Sequence, residues 1–454
     1  MFVKQCGPMK ADFGTRNGMI RKRLHGSNYM PNISSQNVVD FNREFAELHL
    51  TESRTHDQAL NNPGQRVVDT VFVFPREEAD PADPANYYFK ATDWLLRNLL
   101  SCGTQVYYRL GVSIEHTLPG HHFNTEIPKD NLHYARILAG IIRHYNYGWA
   151  DGFRMNIPCW EIWNEPDLDA RMWNGSREQF IRFFCDVLKY LKQEFPDEKI
   201  GGPALCGLRR EWLEPLLAAC RDEGIAPDFI SWHSYWSDPV GLIRQTEEMR
   251  ELVDSFGFTK TELHLNEWHY VLTWDGLHQN VTEEKFLKAM NGPAGMLGID
   301  SAAYNTALFA GWHDSPLDAA YYYGAGRSTA GSPFGFHTLT RRLNKNYYSL
   351  KMFGAVVHGY PVRIAAEGGT ETQWILAASD EAGKRGALLV TDYRGEEMEI
   401  EVEIANIDGA SGWNVVLLDQ NHDELEIPAR FRDGKLLLKK LSPGSAVFLV
   451  TFEY

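Results

Sequence analysis

No stretch of the 454 residues approaches the ~18 to 20 apolar positions of a membrane-spanning helix. The opening MFVKQCGPMKADFG lacks the apolar run of a secretory leader. The chain therefore reads as a cytoplasmic protein, or as a secreted one had a leader been removed, with no membrane partner. Basic residues are also in short supply, 45 Lys and Arg against 60 Asp and Glu, for a net charge of −15. Such an acidic balance argues against nucleic acid and anionic lipid as main partners. Paired cysteines are absent too. The six (6, 102, 159, 185, 206, 220) are scattered with none at metal or redox spacing, so they read as reduced, mostly buried thiols. The chain has no Gly-x-Ser-x-Gly elbow, no phosphate loop and no dinucleotide fingerprint. No cofactor and no metal are expected. Repeats and low-complexity segments are missing as well, and a homo-oligomer is compatible with the sequence.

What remains is a length that suits a catalytic-size unit plus a smaller one. From about residue 22 to 355, short apolar runs alternate with amphipathic stretches. The runs that read as strands are 23–29, 48–56, 104–111, 157–164, 199–206, 228–236, 262–268 and 301–312. Between them, DWLLRNLLSCG (93–103) ends in a helix-stopping glycine and 177–195 carries a helical apolar stripe. Strands alternating with helices eight times predict an α/β fold, a (β/α)8 TIM barrel over 22–355. Beyond about residue 360 the pattern turns to short alternating strands between Gly, Asp and Asn turns. That predicts an accessory antiparallel β-sandwich of 356–454, joined by residues 1–21, which have no helical period.

Catalysis in a barrel of this kind sits at the carboxyl ends of the strands. The fourth predicted strand ends in CWEIWNEPD (159–167), where Pro166 stops the strand near Glu165. The seventh ends in HLNEWHY, with Glu267 102 residues after Glu165 (267 − 165 = 102). Cleaving a glycosidic bond through an oxocarbenium-like transition state takes one carboxylic acid to protonate the leaving oxygen and a second carboxylate opposite. A lone glutamate at a strand end is usually only a polar terminus. Two, each behind an asparagine and each closing an aromatic-rich strand of one barrel, point to catalysis, and with the glycosidase reading the expected partner is a carbohydrate substrate.

The motif WEIWNEPD resembles the acid/base motif of the large barrel-fold retaining glycosidase clan. Within it the chain is most similar to glycoside hydrolase family 39, which includes β-xylosidases and α-L-iduronidases. HGSNY (25–29), SRTHD (53–57), DFISWHSY (228–235), NEWHY (266–270) and KNYYSLKMFG (345–354) carry that similarity. The resemblance implies that Glu165 is the acid/base and Glu267 the nucleophile, with Asn164 bonding the hydroxyl beside the anomeric carbon. It places Arg54 beneath the nucleophile, favouring its charged form and leaving Glu165 protonated. It gives His56, His233 and Tyr235 sugar contacts, the last two also touching Glu267, and makes Trp312 a floor for the apolar sugar face. Arg54 as a buried ion pair, His233 as a core histidine and Trp312 as packing are the alternatives.

Two features fall outside that pattern. Glu161 should point into the lumen and needs a buried partner, for which Arg109 and Arg54 are the candidates. The exit of strand three, GVSIEHTLPGHHFN, departs from the xylosidases, so Glu115, His116, His121 and His122 are candidates for the substrate cleft. No second ligand set at zinc spacing accompanies them. The sequence thus reads as a retaining, exo-acting, β-xylosidase-like hydrolase. The alternatives are an α-L-arabinofuranosidase or another family-39-like specificity and, from a different class, a non-catalytic glycan-binding protein on the same barrel. A binder has no need of two opposed glutamates.

Overall fold

The computed structural model of the protein describes residues 2–31, 41–56, 66–114, 125–275, 277, 282–325, 336 and 343–454. A long strand, β1 (Gly7–Met19), precedes a closed barrel of eight parallel strands. These are β2 (Gly26–Asn28), β3 (Glu52–Arg54), β4 (Gln105–Leu110), β5 (Trp160–Ile162), β6 (Ile200–Leu205), β7 (Phe229–Trp236), β8 (Glu262–Tyr270) and β9 (Ala319–Tyr322). The amphipathic stretches between them are helices, among them Lys90–Ser101 and Arg177–Glu194. The latter starts at a reciprocal cap: the Ser176 side chain accepts from the Gln179 amide, and the Gln179 side chain accepts from the Ser176 amide. No helix among the described residues is long and apolar enough to cross a membrane.

One predicted strand is corrected. Segment 301–312 belongs to the helix Ile299–Trp312, and the last barrel strand is β9, seven residues further on (319 − 312 = 7). Every residue of that helix is buried. It lies between β8 on one side and the second sheet on the other, flanked by the helices Pro239–Ser255 and Lys345–Gly359. A helix covered all round has no polar stripe, so its sequence is indistinguishable by period from a buried strand.

The second sheet has ten strands. Besides β1 it contains β10 (Val362–Gly369), β11 (Gln373–Ser379), β12 (Arg385–Asp392), β13 (Glu399–Ala405), β14 (Ser411–Leu418), β15 (Leu425–Ile427), β16 (Arg430–Arg432), β17 (Lys435–Lys439) and β18 (Ala446–Glu453). Its order is β15-β14-β18-β12-β11-β10-β1-β13-β17-β16, so β1 sits inside the sheet, antiparallel to β10 and parallel to β13. The sheet folds over on itself. Ile400, Val402, Leu436 and Leu438 of β13 and β17 share one core with Leu388 and Val390 of β12 and Phe448 and Val450 of β18. The opposite side of β12, Ala387 and Leu389, packs into the barrel's core instead. Period 2 in β12 thus serves two different cores at once.

Phe13 of β1 is buried, with edge contacts to Phe452 and Tyr454 near the other end of the chain. Phe13→Ala should cost about 3–4 kcal/mol by the transfer and cavity terms of an aromatic truncation. Deletion of residues 2–18, which removes most of an internal strand, should yield insoluble protein or a much larger fall in melting temperature. Thermal denaturation of the two variants checks this, and a truncated chain as stable as the full one would refute it.

Candidate active site

The ends of β5 and β8 solve the same geometric problem in different ways. A regular strand sends consecutive side chains to opposite faces, so an Asn-Glu pair cannot place both side chains in the lumen. After β5, Trp163 and Glu165 take left-handed backbone angles (φ 72° and 43°). Trp163 is turned outward among Tyr134, Trp173 and Phe183, and Asn164 and Glu165 are both brought to the site. The adjacent strand allows this because Gly111 is a glycine: a Cβ there would lie 2.8 Å from the Trp163 Cα. In β8 the break is a bulge. Trp232 pairs with Leu265 but His233 with Glu267, which leaves Asn266 as the extra residue. Asn266 and Glu267 then both face inward.

Between the two strand ends lies the fully buried Arg54 of β3. Its Nε donates to Glu161 Oε2 (2.6 Å), Nη1 to Glu267 Oε1 (2.9 Å) and to Asn28 Oδ1 (3.1 Å), and Nη2 to Asn164 Oδ1 (2.6 Å). The other oxygen of Glu267 accepts from the Tyr235 hydroxyl at 2.6 Å. His56 Nε2 lies 2.7 Å from Glu267 Oε1. His233 Nδ1 stands between the two strand-end carboxylates, 2.7 Å from Glu165 Oε1 and 3.3 Å from Glu267 Oε2. Burial alone would raise the pKa of Glu267. The charges of His233, His56 and Arg54 and the His56 hydrogen bond outweigh it and hold this carboxyl well below the usual carboxylate range. Burial, and then the charges of Glu267 and Glu165, push the Tyr235 phenol far up, so it stays a donor.

An oxygen of Glu165, an oxygen of Glu267 and a ring nitrogen of His233 lie within 4.8 Å of one another. Among the described residues this is the one grouping with metal-ligand proximity. A cation there would have to displace the Arg54, His56 and Tyr235 contacts that already occupy both oxygens of Glu267. Glu165 differs from its partner in reaching solvent: its side chain is 17% exposed and that of Glu267 is 5%.

Of the residues singled out by sequence, Glu165, Glu267, Asn164, Arg54, His56, His233 and Tyr235 converge here. Arg54 is sealed beneath the carboxylates, so its part is to hold them and not to touch a sugar. Trp312 does not belong to the site. It ends the helix that leads into the start of β9, is fully buried, and packs edge-on to Trp268. Trp268 turns outward from β8 where its neighbour Glu267 turns inward, so Trp312 packs behind the strand and not in the cleft. The ring near Glu267 at the end of the last strand is Tyr323. It bonds Tyr29 hydroxyl to hydroxyl at 2.8 Å and packs against His56 and Tyr235, with Trp274 beyond. Glu115, His116, His121 and His122 lie outside the described residues. Glu161 takes Arg54 as its partner; Arg109 instead bonds Asp69 at 2.6 Å. Asn28, Ser231 and Asn266, which complete the buried network, had no signal in the sequence beyond the asparagine before each glutamate.

Residues 59–255 match the model of glycosyl hydrolases family 39. Over 229 residues the chain is 22% identical to a β-xylosidase of Geobacillus stearothermophilus, spanning 44% of each protein. The chain thus covers less than half the length of that curated relative. Among solved structures, a glucosidase from Croceicoccus marinus superposes with a TM-score of 0.80 at 22% identity over 99% of this chain and 100% of that one. An α-L-arabinofuranosidase from Thermotoga maritima does so with a TM-score of 0.67 at 11% identity, over 98% and 100%. At these identities the structural likeness speaks to the fold.

Removing the central cation should leave buried charge uncompensated. Arg54→Met is expected to cost about 3–5 kcal/mol near neutral pH. The sign with pH follows from Glu267. Its depressed folded-state pKa contributes stability that is present above the unfolded carboxylate value and lost as pH falls through the folded one. Without Arg54 the buried carboxyl takes up a proton more readily, so the gap between the wild type and the variant should narrow on acidification. Denaturant melts at about pH 7.5 and about pH 4.5 measure it, and a gap of equal size at both would refute the pairing.

Proposed function

Because residues 59–255 match the model of glycosyl hydrolases family 39, we propose that the chain is a retaining glycosidase, exo-acting and β-xylosidase-like, with Glu267 as nucleophile and Glu165 as acid/base. The observation that carries this reading is the spacing of the two carboxylates, with an oxygen of each within 4.8 Å, above a cation that keeps Glu267 charged. A retaining enzyme needs carboxyl groups about 5–5.5 Å apart, whereas an inverting one needs ~6.5–9.5 Å to admit a water between acid and base.

In the first half of the reaction a lone pair of Glu267 forms a bond to the anomeric carbon as the glycosidic C–O bond breaks. The electron pair of that bond leaves on the aglycone oxygen, which takes the proton of Glu165. In the second half a water attacks the same carbon and returns a proton to Glu165. The ester bond then breaks and its electron pair goes back to Glu267. Asn164, held by Arg54 at 2.6 Å, is oriented to bond the hydroxyl beside the reacting carbon. The half-buried rings of Tyr29, Tyr323 and Tyr235 offer a face for the apolar side of the sugar.

The xyloside preference follows the curated relative. An α-L-arabinofuranosidase is the second reading, and a non-catalytic glycan binder is the competing class. A panel of nitrophenyl xylosides, glucosides and arabinofuranosides separates them, and a binder would turn over none. Glu165→Ala should lose about 10²–10⁴-fold on poor leaving groups, lose far less on activated aryl glycosides, and be partly rescued there by azide. Glu267→Ala should lose activity on both, since no covalent intermediate forms. Proton NMR before mutarotation should show the first-formed product with the anomeric configuration of the substrate. A fluorinated activated sugar should leave its mass on the peptide containing Glu267. Inverted product, or a label on another residue, would overturn the assignment.

A further inference from the structure

The double displacement uses Glu165 and Glu267 and leaves a third carboxylate unexplained. Glu161 lies one layer deeper, fully buried, out of reach of any sugar. It accepts hydrogen bonds from four other strands: Arg54 Nε of β3 (2.6 Å), Tyr107 hydroxyl of β4 (3.4 Å), Ser231 Oγ of β7 (2.6 Å) and Asn266 Nδ2 of β8. Stability alone is a poor reason for such a group, because a buried ion pair is often no better than apolar residues of the same volume. Arg54 divides a single positive charge between two carboxylates, Glu161 at Nε and Glu267 at Nη1, with the amide oxygen of Asn164 at Nη2.

We propose that Glu161 is a positioning residue: by taking up part of the charge of Arg54, it sets how strongly that cation grips Glu267 and so balances the two halves of the reaction. This rests on the retaining reading above. In the first half Glu267 donates an electron pair, and an undiluted cation beside it makes that donation weaker. In the second half Glu267 leaves with an electron pair, and the same cation helps it go. Glu161 therefore shifts the balance toward attack. Its bond to Asn266, the bulged residue, also fixes the register that turns Glu267 inward.

Glu161→Gln removes the charge and keeps the shape. The Oδ1 of Asn266 is without a partner, so rotating that amide offers the new NH2 an acceptor and leaves the packing in place. Two rate constants are read with a fluorinated activated glycoside: inactivation, which reports attack, and reactivation of the trapped intermediate, which reports release. Inactivation should slow by about three- to tenfold, because only part of any basicity lost at the nucleophile is felt in the transition state, while reactivation stays the same or quickens. A merely structural role slows both steps together, and that result, or no change in either, would overturn the proposal. Should the variant not fold, Ser231→Ala carries the test in the opposite sense. It keeps the charge of Glu161 and removes one donor, so more of that charge faces Arg54, and reactivation should slow while inactivation does not. Equal slowing of both steps would again overturn it. A wild-type chain that takes no label overturns the retaining reading and this inference with it; a labelled wild type whose variants slow both steps overturns this inference alone.

Discussion

Arg54 places a guanidinium where no water can reach it, and the layers around the barrel axis are arranged to make that tolerable. Taking such a cation out of water costs several kcal/mol unless anions and acceptors meet it in good geometry. Four residues do so, from β2, β5 and β8 and from the turn after β5: Asn28, Glu161, Glu267 and Asn164. Neither β5 nor β8 can shift in register without leaving a buried charge unpaired. The same contact that closes the barrel electrostatically keeps Glu267 ionised and Asn164 aimed.

The second sheet is tied to this end of the barrel and not only to its flank. Tyr393, just beyond β12, donates to the Ser237 carbonyl at 2.6 Å, directly after the strand that carries His233 and Tyr235. Arg394 bonds the Tyr270 hydroxyl and Asp300, at the end of β8 and the start of the buried helix. With the helix Ile299–Trp312 filling the space between the two units, barrel and sheet share one core. The protein is better described as two sheets built around a common helix than as a catalytic unit with an appendage.

Legibility in the sequence tracked local signals. Seven of the eight barrel strands, the helices 93–103 and 177–195, and the β11, β12, β13, β14, β17 and β18 runs announce themselves through apolar runs, alternation and turn residues. Glu165 and Glu267 stand out because each ends a strand with an unusual residue pair. Segment 301–312 misled because complete burial erases the period by which helix and strand are told apart. Trp312 fell with it, since its place depended on that strand. Asn28, Ser231 and the role of Asn266 escaped notice because a polar residue in a buried strand looks the same whether it satisfies a backbone group or a buried charge. The bulge at Asn266 is invisible for a related reason. It is a register difference between two strands, and neither strand alone contains it.

The position of β1 has a consequence for how the chain is made. It pairs with β10 and β13, so its nearest hydrogen-bonding partner begins 343 residues after it ends (362 − 19 = 343). At ribosomal speeds of ~5–20 residues per second, this strand waits on the order of half a minute for a partner. The entire barrel emerges in that interval, with an extended segment bearing two open edges trailing beside it. Non-local pairing of this kind is slow in any case, because the loop must close before the contact repays it. A chaperone that binds extended chain would therefore find β1 open throughout the time the barrel takes to emerge, so the first strand of the chain is the one exposed longest.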